Sequence, residues 1–177
     1  TAIEGMAGVG KSYLADHFAL VHEDRFGGYL VLPIDPLSPQ STESLIATLA
    51  DRLKVPARMD QVRAAIRSSR ALVHVENVDS PEAARTAGAL MAQLKGCALV
   101  LTGRMEGIGR GFGRIIALRP FSVEEGLRQL SEDLAFLESG LISDGESRRL
   151  VESLAGLPLA IHLAAGYLAA GYTPAEF

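Results

Sequence analysis

The chain carries, close to its first residue, the run Gly5-Met6-Ala7-Gly8-Val9-Gly10-Lys11-Ser12. This run fits the pattern of a glycine, four further residues and then Gly-Lys-Ser. Residues 1–4 before it have the composition of a short strand, and residues 11–22 carry apolar side chains at helical spacing. A strand, a glycine-rich turn and a helix in this order are the context in which this pattern binds phosphate.

Each residue type in this loop has a physical role toward a phosphate group. Glycines let successive main-chain N–H groups turn inward around the anion, and the following helix adds the positive end of its dipole. We expect Lys11 to reach the β- and γ-phosphates as a mobile positive charge and the Ser12 hydroxyl to ligate Mg²⁺. A chance glycine turn is the alternative. The predicted nucleotide-binding residues of this region are Gly5, Met6, Ala7, Gly8, Val9, Gly10, Lys11, Ser12 and Tyr13.

An acidic residue follows a later apolar run, residues 72–75. Mg²⁺ held by one serine and two phosphates needs a further oxygen ligand, and we expect Glu76 to supply it, acting through a coordinated water. A solvated strand end is the other interpretation. Asn77 stands where many NTPases place a second carboxylate that orients the attacking water, and an amide cannot accept a proton. Hydrolysis is therefore expected to be slow, with Asp79 only a weak candidate for a substitute. His74, in the same strand, is expected to be structural.

The run Thr102-Gly103-Arg104 stands at the end of the fourth predicted strand. Side chains at the carboxyl ends of parallel strands meet the ligand crevice. Arg104 is therefore expected to contact the γ-phosphate and to report its presence; a surface arginine in a loop is the alternative. The predicted catalytic residues are then Lys11, Glu76, Asn77 and Arg104.

Strand and helix patterns alternate along the first two thirds of the chain. Pro33, within the second strand pattern, indicates a strand end or a sheet edge. The alternation predicts an α/β fold with a parallel, roughly five-stranded sheet flanked by helices. Beyond Pro120 only helical patterns remain, so the chain is divided into a nucleotide-binding domain, 1–120, and a small helical subdomain, 121–177. The abrupt start before the loop suggests a fragment of a longer protein.

The composition excludes several classes of protein. Hydrophobic residues make up 48% and charged residues 21%, as in globular proteins. A net charge of -4 leaves no broad cationic surface, so direct binding to nucleic acid or membrane is not expected. Cys97 is the only cysteine, which excludes an intrachain disulfide, and it is predicted at a buried strand position. A cytoplasmic location fits these observations.

The loop, Glu76-Asn77, Thr102-Gly103-Arg104 and a later run together resemble the NB-ARC, or AP-ATPase, group of STAND P-loop NTPases. The later run is Gly156-Leu157-Pro158-Leu159-Ala160-Ile161. Members of this group include apoptosis-activating factors, plant disease-resistance proteins and bacterial regulators and defence proteins. The resemblance implies that Leu157 and Pro158 lie near the adenine or sugar. It also implies ADP in the resting state, ATP with Mg²⁺ in the active state, and homo-oligomerisation of the activated full-length protein.

The chain departs from the family pattern at three points. Glu76 replaces the usual aspartate, Asn77 replaces the second acid, and the residues up to Phe177 do not include the winged-helix domain of the family. The leading hypothesis is a signalling switch that binds adenine nucleotides and hydrolyses ATP slowly. A binding-only pseudo-ATPase that serves as an oligomerisation scaffold is the runner-up. A small-molecule kinase is a third and weaker hypothesis, since no arginine-rich lid or acceptor site is evident.

Overall fold

A computed structural model describes residues 1–35, 40–110, 113–137, 143–174 and 176. Within these residues, strands and helices alternate up to residue 118 and only helices follow. The elements run in the order β1 (Ala2–Glu4), α1 (Lys11–Val21), β2 (Tyr29–Pro33), α2 (Thr42–Leu53), α3 (Met59–Ser68), β3 (Leu72–Glu76), α4 (Pro81–Gln93), β4 (Ala98–Gly103), β5 (Ile115–Ala117), α5 (Val123–Phe136), α6 (Asp144–Ser153) and α7 (Pro158–Ala169).

The five strands form one parallel sheet in the order β2-β3-β4-β1-β5. The predicted fold class, a parallel five-stranded sheet flanked by helices, is confirmed. β2 is an edge strand and Pro33 is its last residue, which agrees with the positions that the missing N–H of proline allows. The connections β1–β2, β2–β3 and β3–β4 each carry one or two helices, as crossovers between parallel strands require, whereas β4 and β5, which lie on either side of β1, are joined without a helix among the described residues.

Alternate residues of the strands enter two separate cores. In β3, Val73 and Val75 belong to the larger core, whereas Leu72 belongs to a smaller one. The larger core takes residues of α2, α3 and α4, and the smaller core takes residues of α1. A side chain such as Leu49 or Leu90, with 0% exposure, contributes about 1.5–3 kcal/mol by leaving water. Helices therefore cover both faces of the sheet, as the near-continuous apolar runs of β3 and β4 require.

The strand order brings the carboxyl ends of β3, β4 and β1 side by side. Gly5, directly after β1, donates its main-chain N–H to the Gly103 carbonyl at 3.3 Å. Val78, two residues beyond β3, donates its N–H to the Thr102 carbonyl at 3.0 Å. The segments after these three strands are thus joined to one another by main-chain hydrogen bonds.

Helix α4 begins as its sequence predicts. Ser80 is the capping residue, and its hydroxyl oxygen accepts a hydrogen bond from the Ala83 N–H at 3.0 Å. Pro81 takes the first helical position, where a missing N–H costs nothing. This start fixes the path of the chain immediately after Asp79. Cys97, in contrast, is only half-buried and lies just before β4, so its predicted buried strand position is wrong.

The chain divides into two compact units. The first comprises residues 1–6 and 11–118, which hold the sheet and helices α1 to α4. The second comprises residues 7–10 of the glycine-rich loop and residues 119–177, which hold α5, α6 and α7. Its core includes Leu130, Leu134, Val151 and Ile161. Among the described residues, no helix is both long enough and apolar enough to span a lipid bilayer.

Gly103, at the end of β4, allows a close approach between two main chains. A Cβ atom built there would lie 2.2 Å from the Val78 carbonyl oxygen and 2.8 Å from Ile108 Cδ1. We expect Gly103→Ala to lower the free energy of unfolding by about 1–3 kcal/mol, because the segment after β3 must shift. Urea denaturation measures this loss. Gly145→Ala is the matched control, since nothing lies within 4 Å of its Cβ position, and an equal loss in both variants would contradict the explanation.

Candidate functional site

The glycine-rich loop has a main chain suited to an anion. Gly5, Gly8 and Gly10 have φ values of 152°, 77° and 95°, a region that side chains disfavour. Among the described residues, the N–H groups of Gly8 and Gly10 donate to no protein acceptor. Helix α1 begins directly afterwards, and the N–H groups of a first helical turn have no partner within the helix. These donors fit the phosphate group that the sequence predicts for this loop.

Lys11 is the cation of the loop. Its ammonium group donates a hydrogen bond to the Met6 carbonyl at 2.9 Å. Burial lowers the pKa of Lys11; the positive charge of Arg104 lowers it further, whereas the negative charge of Asp79 raises it. Asp79 follows β3 and Arg104 follows β4, so both lie at the edge of the sheet where β1 leads into the loop. The first unit thus has two cations and one carboxylate at the edge of the sheet formed by the carboxyl ends of β1, β3 and β4.

The two predicted metal ligands provide oxygen donors of the kind Mg²⁺ prefers. Ser12 is the second residue of α1 and is half-buried. Glu76 is the last residue of β3, and its side chain is 21% exposed. In the described part of the chain its carboxylate makes no hydrogen bond, and His74 Nε2 lies 3.9 Å from its Oε1. The carboxylate is therefore available to a metal ion or to a coordinated water.

No cluster of three or more His, Cys, Asp or Glu side chains suited to a metal ion is found within the described residues. A hydroxyl and one carboxylate cannot by themselves complete the six ligands of Mg²⁺. Phosphate oxygens and water would have to complete them, which is the usual way proteins bind Mg²⁺ with a nucleotide. The donor set of Ser12 and Glu76 is therefore compatible with Mg²⁺ that arrives with its nucleotide.

The backbone conformation at position 77 explains why an asparagine is suited to follow β3. Its φ is 60°, in the left-handed region that asparagine tolerates better than most residues. Its carbonyl oxygen accepts a hydrogen bond from the Asp79 N–H at 2.8 Å, which closes a tight turn. The side chain is exposed and carries no group that accepts a proton. Its predicted place at the end of β3 agrees with the structure, while its effect on hydrolysis stays a prediction.

Arg104 and Asp79 are joined by two hydrogen bonds. The Asp79 carboxylate accepts one from the Arg104 main-chain N–H and one from Arg104 Nε, both at 2.7 Å. The Asp79 side chain is 16% exposed and the Arg104 side chain 55%. Both line a cavity of about 250 Å³ that is bounded by the ends of β2, β3 and β4 and by the first turns of α4. The sequence indicates Arg104 but not its partner.

A chain of polar side chains runs through the sheet beneath this edge. Tyr29 donates its hydroxyl proton to Asp16 at 2.5 Å, since a carboxylate can only accept. His74 Nδ1 lies 2.6 Å from the same hydroxyl oxygen, and its Nε2 lies 2.9 Å from Thr102 Oγ1. Burial lowers the pKa of His74 and raises the pKa of Tyr29, so both groups are neutral at pH 7.

The protons of this chain follow from those contacts. Because the one hydroxyl proton of Tyr29 goes to Asp16, His74 Nδ1 must carry a proton and donate it to Tyr29. Nε2 is then the acceptor for the Thr102 hydroxyl. His74 is 0% exposed and both ring nitrogens are bonded, so the expectation of a structural histidine is confirmed. It secures Thr102, two residues before Arg104, to β3.

Glu4 is a buried carboxylate that sequence reasoning overlooked. It closes β1, is 5% exposed, and accepts hydrogen bonds from the N–H groups of Gly107 at 2.8 Å and Gly109 at 3.1 Å. The carboxylate therefore anchors the glycine-rich segment that follows Arg104. The sequence did contain a signal for this role, because an acidic residue in a short strand such as β1 needs buried hydrogen-bond partners.

The remaining predicted residues lie on exposed surface or in the second unit. Tyr13 is 76% exposed and stacks on His17 with ring centroids 6.0 Å apart. In the second unit, Leu157 is the capping residue of α7 and Pro158 its first helical residue. The N–H of Leu159 donates to the Gly8 carbonyl at 3.1 Å, so the unit contains a direct bond between the loop and α7. Leu159 was not among the predicted nucleotide-binding residues.

No protein-family model matches the sequence, and no curated protein sequence matches it. Solved structures do match the fold. The FIGL-1 AAA domain in complex with ADP aligns with a TM-score of 0.59 and 16% identity over 96% of this chain and 60% of that chain. A STAND protein with a tetratricopeptide repeat sensor from Pyrococcus horikoshii aligns with a TM-score of 0.58 and 17% identity over 90% and 26%.

The Aeropyrum pernix ORC1 protein, solved in complex with DNA, aligns with a TM-score of 0.61 and 11% identity over 98% of this chain and 55% of that chain. This chain spans between 26% and 60% of the length of these three proteins. Identities this low show a shared fold and nothing finer. The chain therefore has the fold of the AAA+ and related P-loop ATPases, and its glycine-rich loop lies between β1 and α1.

Proposed function

We propose that the chain is the ATP- and ADP-binding switch module of an NB-ARC-like STAND signalling protein. One observation carries the proposal. The Gly-Lys-Ser run lies between β1 and α1, with Lys11 at the start of α1, and the bonded pair Asp79 and Arg104 follows β3 and β4 at the same edge of the sheet. A positively charged site at this edge of a parallel sheet is where a polyphosphate binds in open α/β folds.

Different residues of the first unit would contact the phosphates and the Mg²⁺ of a bound nucleotide. Lys11 would contact the β- and γ-phosphates, and Arg104 would contact the γ-phosphate. Ser12 and Glu76 would hold Mg²⁺, which neutralises phosphate charge and orients the terminal phosphoryl group when bound. We expect adenine rather than guanine, because no Asn-Lys-x-Asp or Thr-Lys-x-Asp run follows the core strands. A structural neighbour solved with ADP is compatible with this choice.

Slow hydrolysis follows from the residues around the phosphate. Asn77 has no proton-accepting group, and the Asp79 carboxylate is bonded twice to Arg104. The Glu76 carboxylate makes no hydrogen bond to any residue that the structure describes, so we assign it the role of orienting water. An enzyme with such a site holds ATP for longer than an efficient ATPase would, which suits a switch whose output depends on the bound nucleotide.

The bond between Leu159 and Gly8 supports the switching role. Within the second unit it connects the first turn of α7 to the loop. A nucleotide that rearranges the Gly8 peptide would strain or break this bond and so change the equilibrium position of α7. In the full-length protein we propose that this change exposes a surface for homo-oligomerisation. We further propose a cytoplasmic protein in which this module contacts neither nucleic acid nor membrane.

The binding-only pseudo-ATPase is the second candidate, and the exposed amide of Asn77 favours it. Hydrolysis by the Glu76→Gln variant separates the two functions. If Glu76 orients water or Mg²⁺, the amide should lower the single-turnover rate of Mg²⁺-dependent phosphate release by on the order of 100-fold, because a general base or metal contact is lost.

Glu82→Gln is the matched control for this experiment, since Glu82 lies in the first turn of α4 and makes the same change of charge. Its rate should stay within a factor of two of wild type. A wild-type rate that is zero within error, with ATP still bound, would favour the pseudo-ATPase. Phosphate transferred to an added small-molecule acceptor would favour the kinase hypothesis instead.

A further inference from the structure

The Asp79 carboxylate holds Arg104 at two points of the same residue. One oxygen accepts from the main-chain N–H and the other from Nε, each at 2.7 Å. The first bond fixes the backbone of Arg104, and the second fixes the direction of its guanidinium group. Two charge-assisted bonds from one carboxylate restrict the arginine far more than a single surface ion pair would.

The carboxylate is itself held in place by the main chain around it. The Asp79 N–H donates to the Asn77 carbonyl at 2.8 Å, and the Val78 N–H donates to the Thr102 carbonyl at 3.0 Å. Ser80 begins α4 immediately afterwards. Because the residues on both sides of Asp79 are held by main-chain bonds or by the start of α4, the backbone position from which its carboxylate meets Arg104 is defined, and its side chain is only 16% exposed.

The bond to Nε leaves the outer edge of the guanidinium group available. Neither Nη1 nor Nη2 of Arg104 makes a hydrogen bond within the described residues, and the side chain is 55% exposed. A guanidinium group offers five N–H donors in a planar fork, so four remain for a planar or tetrahedral anion. Arg104 directly follows Gly103, whose carbonyl accepts the N–H of Gly5 at the start of the loop at 3.3 Å. The positive charge of Arg104 also lowers the pKa of Lys11.

We infer that Asp79 is the positioning residue for Arg104, and that it sets how strongly the module distinguishes ATP from ADP. The inference rests on the proposed function, since it deepens the role of Arg104 at the γ-phosphate. Asp79 stays hydrogen-bonded to Nε of Arg104, while the two Nη groups donate hydrogen bonds to the terminal phosphate. The Arg104 side chain is then ordered before the nucleotide binds, so its loss of conformational entropy does not weaken binding.

The opposite role makes an opposite prediction. If Asp79 competed with the terminal phosphate for Arg104, removing the carboxylate would release the arginine and strengthen ATP binding. If Asp79 positions Arg104, removing the carboxylate weakens ATP binding and leaves ADP binding unchanged. The sign of the change in the ATP-to-ADP affinity ratio therefore separates the two roles.

The test is isothermal titration calorimetry of the full 177-residue chain with Mg·ATP and with Mg·ADP. We expect Asp79→Asn to lower the ATP-to-ADP affinity ratio by about tenfold, the value of one hydrogen bond to a charged group. Glu82→Gln, which makes the same change at the wall of the same cavity, should leave the ratio unchanged. Arg104→Lys, which keeps the charge but lacks Nε–H, should lower the ratio by a similar factor.

Thermal denaturation of each variant reports folding separately from the ratio. If Asp79→Asn is too unstable to titrate, Arg104→Lys carries the test, because its exposed side chain leaves the core intact. An unchanged or increased ratio in Asp79→Asn, or in Arg104→Lys when that variant decides, overturns the inference. The proposed function fails in a different way: the wild-type chain would then bind neither nucleotide.

Discussion

Replacement of Lys11 by alanine is expected to weaken the binding of Mg·ATP and Mg·ADP on the order of 100-fold. The estimate follows from the loss of a charge-assisted contact to phosphate, which is worth about 1.5–3 kcal/mol per hydrogen bond. Within the described residues the ammonium group bonds only to the Met6 carbonyl, so folding should survive the change. Calorimetric titration gives both dissociation constants.

Lys95→Ala is the matched control for this prediction, because it also removes one ammonium group from the first unit. Lys95 is exposed and its side chain makes no bond in the part of the chain that the structure describes, so nucleotide affinity should stay within a factor of two. Equal affinity in Lys11→Ala and wild type would remove Lys11 from the site. Equal losses in both variants would indicate a general effect of charge.

Replacement of His74 by alanine is expected to lower the free energy of unfolding by about 2–5 kcal/mol, the range for large buried side chains cut back to alanine. His74 is 0% exposed, and its loss leaves a cavity beside Tyr29 and Thr102, the residues that its ring contacts. It also removes the acceptor of the Thr102 hydroxyl and the donor to Tyr29. Since natural domains are stable by only about 5–15 kcal/mol, the variant should unfold at much lower urea concentration.

His17→Ala provides the matched control, because His17 is exposed on α1 and, within the residues that the structure describes, makes no contact beyond stacking on Tyr13. Its effect should lie within about 0.5 kcal/mol of zero. Should His74→Ala prove insoluble, His74→Gln keeps part of the volume and one bonding partner, and it should fall between wild type and alanine. A urea midpoint of His74→Ala equal to that of wild type would show that the polar chain does not stabilise the sheet.

The fold could be predicted because its signals are local. The glycine-rich run lies directly between the strand and the helix that it joins. Ser80 and Pro81 stand at the residues where α4 begins. Pro33 indicated the edge position of β2 because a missing N–H is tolerated there. In each case the physical cause lies within one turn or one strand of the residue that reveals it.

The contacts of the site were harder to predict because they join distant residues. Asp79 and Arg104 are separated by 25 positions, and Glu4 and Gly107 by 103. Only the strand order, with β3 beside β4 and β4 beside β1, brings these groups together. The predicted strand position of Cys97 was wrong for a more local reason. The apolar run after it gives no sign of where β4 begins, which is at Ala98.

Main-chain amides of the loop, together with Lys11, are expected to bind the phosphates of an adenine nucleotide. The most direct measurement is the ¹⁵N–¹H spectrum of the chain during titration with Mg·ADP. The largest shifts are predicted at the amides of Gly8, Gly10 and Lys11, with smaller shifts near Arg104. A spectrum that does not change, or one whose shifts lie away from the loop, would contradict the claim.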